Sequence, residues 1–279
     1  MNAADFMAGH ARLLDRRRFQ LLMGEIDAAG VLAALNGYRN PDGGYGWGLE
    51  PDLRAPESQP GAALHAFEVF AELPPAREAV ELCDWLDSVS LPDGGLPFAL
   101  PVSTAAGTAP WWRGPDAGES SLQITAISAA WAYRVPGLAD HPWLARATRY
   151  CLDAVDALNE APHAYILLFA VRLLDELGDT ERLDRLAKHI PADGRVRVQG
   201  GTEAESLHPL DFAPYPGTPA RALFTPEVVE ADLDRLAALQ QEDGGWVVDY
   251  AVISPAGALD WRGATTVRAV EILRANGRL

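Results

Sequence analysis

Apolar residues recur along most of the chain at three- and four-residue spacing, which predicts a helical protein. The helical segments fall into two alternating kinds. One kind keeps its charges on one face: 75–88, 141–155, 179–189 and 226–241. The other is apolar on nearly every side: 60–73, 121–135, 163–177 and 263–275. A helix with one apolar stripe lies on the outside of a protein, whereas a helix apolar all round must be covered on more than one face. A first helix over 4–23 adds another inner candidate. The Pro-rich segment from Pro191 to Pro226 is the least regular and predicts a degraded repeat with a short helix near Leu207–Phe212.

Between these segments one turn recurs. Asp42-Gly43-Gly44, Asp93-Gly94-Gly95 and Asp243-Gly244-Gly245 share the same three residues. Asp bonds to backbone two residues on, and Gly takes positive φ without steric cost. Alternating outer and inner helices joined by such turns describe stacked hairpins, spaced roughly 40 to 60 residues apart, that bury their faces against neighbours. No interdomain linker stands out, so residues 1–279 read as a single all-α domain.

The last copy carries a resemblance. Gln240 stands three residues before Asp243, and Trp246 follows the glycines. This arrangement resembles the Gln-Trp repeat of the squalene-cyclase and protein-prenyltransferase β-subunit superfamily. The segments at Gly44–Trp47 and Asp93–Phe98 are weaker copies, with Arg39 and Ser90 where the last copy has Gln. The resemblance implies a terpenoid-cyclase-like α/α toroid, a double ring of helices around a central cavity.

The family's chemical motifs are reproduced only in part. Class II cyclases of this superfamily carry Asp-x-Asp-Asp, and the nearest match is Asp232-Leu233-Asp234-Arg235 on an outer helix. Asp175-Glu176-Leu177-Gly178-Asp179 approximates the Asp-Asp-x-x-Asp metal motif of ionising synthases, but reads as one helix ending and the next being capped. The prenyltransferase zinc site needs Asp-x-Cys. Neither Cys83 nor Cys151 has an Asp two positions before it. No metal and no cofactor are expected.

A carboxylate stands near the start of each inner helix: Glu57, Glu119, Glu160, Glu205 and Asp260. Acidic residues there serve free backbone N–H groups and the helix dipole. In a closed ring they would instead converge on one mouth and raise one another's pKa, the condition for protonating an alkene. These five are the catalytic candidates. Asp52, Arg54, Trp111, Trp112, His163, Tyr165, His208, Asp211, Trp261 and Arg262 are the candidates for binding substrate, the aromatics by stabilising a cation. The expected function is an acid-catalysing, cyclase-like enzyme acting on an apolar or isoprenoid-like small molecule. The alternatives are a non-catalytic toroid that binds a hydrophobic ligand or a partner protein, and, more weakly, a carbohydrate-active helical barrel.

Charge and composition narrow the partners. The net charge of −16 argues against nucleic acid and anionic membrane surfaces. Two cysteines exclude a disulfide framework, no apolar run is long enough to span a bilayer, and no signal peptide is visible, so a cytoplasmic protein is expected. Arg16-Arg17-Arg18 is the one dense basic cluster, and Lys188 the one lysine.

Overall fold

The computed structural model describes residues 2–279. In chain order its helices are α1 (Ala3–His10), α2 (Leu13–Leu22), α3 (Ala28–Leu35), α4 (Pro60–Phe70), α5 (Arg77–Val89) and α6 (Leu122–Arg134). There follow α7 (Pro142–Asp156), α8 (Ala164–Leu177), α9 (Thr180–Ala187), α10 (Pro209–Phe212), α11 (Pro226–Ala238) and α12 (Pro255–Ala275). The strands among the described residues are β1 (Val196–Arg197) and β2 (Ser206–Leu207), paired antiparallel with Val196 opposite Leu207. The protein is therefore all-α. Among the described residues no helix is long and apolar enough to cross a membrane.

Local chemistry sets the helix starts. Pro occupies the first turn of α4, α7, α11 and α12, where a missing N–H costs nothing. Ser121, Asp179, Thr225 and Ser254 each accept a backbone N–H as N-caps. Two expectations need correcting. The predicted helix over 4–23 is two helices, because Ala11 and Arg12 are extended and Arg16 reaches back to the carbonyls of Met7 (3.2 Å) and Ala11 (3.4 Å). The last inner helix begins at Pro255 rather than 263, since Ser254-Pro255 supplies both a cap and a first residue.

The chain groups into two compact units, one formed by the segment up to Asp27 with Ala161–Leu279, the other by Ala28–Glu160. In the second unit α4 is the most enclosed helix, and of its residues only His65 and Glu68 keep partial exposure. It packs on α5 and α6, while α7 covers α5 and α6 with a single apolar stripe. In the first unit α8 packs on α9 and α10, and α12 on α1, α2 and α11.

The Asp-Gly-Gly turns are alike in detail. Asp42, Asp93 and Asp243 each accept the second glycine's N–H, at 3.0, 3.0 and 3.1 Å. The first glycine has φ of +92°, +91° and +93° respectively. A side chain on it would press on a backbone carbonyl: Glu81 of α5 for Gly43, Arg146 of α7 for Gly94, and Asn2, the cap of α1, for Gly244. Thus α1 stands to the last turn as α5 and α7 stand to the first two. Each turn Asp also grips the chain entering or within the following inner helix, through Ser58 (2.8 Å), Ser120 (2.6 Å) and Arg262 (2.7 Å). A fourth, worn copy lies in the irregular segment. Gly194, at φ +73°, donates to the Pro191 carbonyl, and Asp193 accepts the Arg195 N–H.

Candidate functional site

In the unit containing Ala161–Leu279, the first turn of α8 meets the β1–β2 hairpin. The Tyr165 hydroxyl donates to Glu205 Oε1 at 2.8 Å, and the Thr202 N–H donates to Oε2 at 3.1 Å. The Thr202 hydroxyl donates to the Asp249 carbonyl at 2.9 Å, bringing a further carboxylate to the group. Glu205 is buried and Asp249 is exposed. Partial desolvation of its carboxyl raises Asp249 above the ordinary range, with hydrogen bonds from the Ser206 and Asp249 backbone opposing and the charges of Asp211 and Glu205 reinforcing. Burial, then the bond to Glu205, raises the Tyr165 phenol, so it remains a neutral donor.

Aromatic rings line up beside these acids. His163 stacks on Tyr165 at 5.9 Å, and Tyr165 lies 5.9 Å from Phe169 one turn along α8. His163 Nδ1 accepts the Tyr165 N–H while Nε2 donates to the Gln199 carbonyl at 3.0 Å, so Nε2 carries a proton. The structure thus gathers Tyr165, Glu205, His163 and Asp211 from the sequence candidates and adds Asp249 and Phe169. Asp249 was legible only as the acid that follows the last repeat.

His208 is held by acidic neighbours. Its N–H donates to Asp211 at 2.8 Å and its ring lies 3.7 Å from Asp232. Burial and then Arg235 lower its pKa. Asp211 also sits 3.7 Å from Arg268. Among the described residues no group of three or more His, Cys, Asp or Glu side chains is placed to hold a metal ion.

The remaining candidates of this unit serve the fold. Asp260 lies inside α12 rather than at its start. Trp261 meets Tyr250 edge-on at 5.3 Å. Arg262 binds both oxygens of Asp243 and lies 4.5 Å over the Phe6 ring, so it locks the last turn onto α1. Asp232 accepts the Leu210 N–H, Asp234 pairs with Arg278, Asp175 accepts the Ala220 N–H, and Asp179 caps α9. Both approximate acid motifs are therefore occupied by structural bonds. Lys188 is exposed.

In the unit Ala28–Glu160, a strap over residues 100–112 crosses the entrance of α4. Gln59 holds the Leu100 backbone at both amide atoms (3.1 and 2.8 Å), and the Glu57 carboxylate accepts the Ser103 N–H at 2.9 Å. The hydrogen bond from Ser103 lowers the Glu57 pKa, contrary to the raising that convergence predicts. The Arg54 N–H donates to Gly107, and the Ala109 N–H to Asp52. Trp112 is buried, stacked on Phe98 at 4.8 Å, with its ring against Gly61. Trp111, Glu119 and Glu160 are exposed.

One charged group in this unit escaped the sequence reading. His65 on α4 contacts Glu50 through Nε2 (2.8 Å) and Glu68 through Nδ1 (2.9 Å). Burial disfavours the imidazolium, but Glu68 and Glu50 outweigh that and push His65 up to about 10. The His65–Glu68 pair at helical i,i+3 spacing was the available signal. Burial pushes the Cys83 thiol up to about 12, which removes it as a nucleophile.

No protein-family model matches the chain, and no curated protein matches it.

Proposed function

We propose that the protein is an acid-catalysing enzyme of terpenoid-cyclase type. Its hairpins would close into an α/α toroid over residues 1–279, and its substrate would be an apolar, isoprenoid-like small molecule. The equivalence of α1 to the outer helices α5 and α7 at the Asp-Gly-Gly turns supports the ring, because the last turn finds its outer neighbour in the first helix.

One observation carries the activity: a carboxyl with a raised pKa, Asp249, grouped with Glu205 and Tyr165 beside the Tyr165–Phe169 rings. Asp249 would give its proton to an alkene carbon, leaving its carboxylate and a carbocation. The ring faces would stabilise that cation by cation–π attraction. A second alkene of the substrate would close the ring, and loss of a proton to water would end the reaction. Tyr165 would hold Glu205 in place.

The test is product analysis by gas chromatography and mass spectrometry, using linear isoprenoids from monoterpene to triterpene length. Each is offered free and as the diphosphate, with and without Mg²⁺. A cyclised product is expected, with kcat/KM falling as pH rises and Asp249 ionises. Asp249→Asn should cost about 10²–10⁴-fold, the usual weight of a general acid. No product from the wild type overturns the reading. That outcome would favour a non-catalytic toroid holding a hydrophobic ligand, which the structural use of Asp175 and Asp232 also supports.

A further inference from the structure

The first Asp-Gly-Gly turn carries a feature that its two repeats lack. Among the described residues Trp47 is the only non-glycine at positive φ, at 58°. Bulky L-residues rarely adopt that conformation, and where they do something must hold them there. Burial does not: the residue is 58% exposed. Phe98, the matching residue of the second copy, is packed on Trp112 instead.

What holds Trp47 is a set of hydrogen bonds that fixes its ring. The indole N–H donates to Asn40 Oδ1 at 2.8 Å, and its backbone N–H donates to Ala55 at 2.8 Å. Asn40 in turn donates to the Pro56 carbonyl (2.9 Å) and to Ser58 (3.0 Å), which is bound to Asp42. With its one donor spent, the indole presents only a π face to solvent.

From this arrangement we infer that Trp47 is a pre-positioned anchor for a basic partner protein, receiving an Arg or Lys side chain on its exposed face. Charge complementarity selects the partner: the chain has 39 acidic against 23 basic residues, and Asp42 is exposed in the same turn. A π face in an acidic field attracts cations and repels anions. A held, exposed Trp suits a protein contact, whereas a small ligand needs a concave pocket. The inference uses none of the residues around Tyr165.

Fluorescence anisotropy with a labelled Gly-Arg-Gly-Arg-Gly peptide tests it, against the same peptide with citrulline and against free arginine amide. The arginine peptide should bind the wild type, and Trp47→Gly should weaken it by about 2- to 30-fold, the span of a cation–π contact. Glycine suits the left-handed backbone, so Trp47→Gly should keep the unfolding temperature within about 3 °C of wild type. Equal binding by Trp47→Gly, equal binding of the citrulline peptide, or no binding by the wild type would each overturn the inference. So would arginine amide binding as tightly as the peptide, or a much lower unfolding temperature, which would make the indole structural.

Discussion

His65 shows what a single side chain contributes here. It stands between Glu50 and Glu68 on the most enclosed helix of its unit, and its pKa rises from 6.5 to about 10. A raised folded-state value means that folding favours the protonated form. The stabilisation is therefore complete below pH 6.5 and is lost as pH climbs through about 10. Replacing His65 by Gln leaves the buried Glu50 without its cation, a change that costs about 3–5 kcal/mol in comparable buried pairs. The stability gap between wild type and His65→Gln, read by urea unfolding, should be widest near pH 6 and should narrow towards pH 10. A gap that does not vary with pH would mean that His65 is neutral. In the sequence only the i,i+3 spacing to Glu68 hinted at this residue. Its partner Glu50 lies 15 positions away across a loop, so only tertiary contact reveals the trio.

At the scale of elements the sequence was most legible where physics is local. Period, caps and prolines placed α4 to α9 and α11 within a few residues, and the Asp-Gly-Gly turns could be read as turns from three letters. The break after α1 was not legible, because Arg16 satisfies the exposed carbonyls from the following helix. Nor was the strap across α4, whose attachment through Gln59 spans 41 positions. The candidate site was half legible: Glu205 was named as a helix-start carboxylate and Tyr165 as a cation-stabilising aromatic, but their contact depends on a short hairpin with no periodic signal. The strap yields a prediction. A methyl group on Gly61 would lie 2.8 Å from the Trp112 ring. Gly61→Ala should improve helix propensity by about 1 kcal/mol and yet destabilise the protein, because the indole must leave its seat on α4. Limited proteolysis within 101–108 should speed up, with a red shift in Trp emission. Unchanged proteolysis would show that the strap is held by Gln59 and Glu57 without Trp112.

On the scale of the whole molecule, the notable fact is that one compact unit is assembled from two distant stretches of chain. Phe6 is the joint between them. It is 1% exposed, its ring meets Gly245 where any side chain would clash, and Arg262 lies over its face. Arg262 is in turn fixed by Asp243, so the last turn, α12 and α1 form one contact system. The other two turns need no such partner, since the helices they meet, α5 and α7, follow them in sequence. Phe6 is only four residues beyond the α1 cap at Asn2, where fraying would normally make a side chain unimportant. Its position in the repeat argues the reverse. Phe6→Ala should cost about 3–5 kcal/mol, as for an interior aromatic, because it removes both the buried ring and the cation–π contact. Hydrogen exchange should then quicken in α12 and in the turn at Gly244 as well as in α1. Loss of protection confined to α1 would mean that the last turn stands without α1, and it would count against the proposed ring.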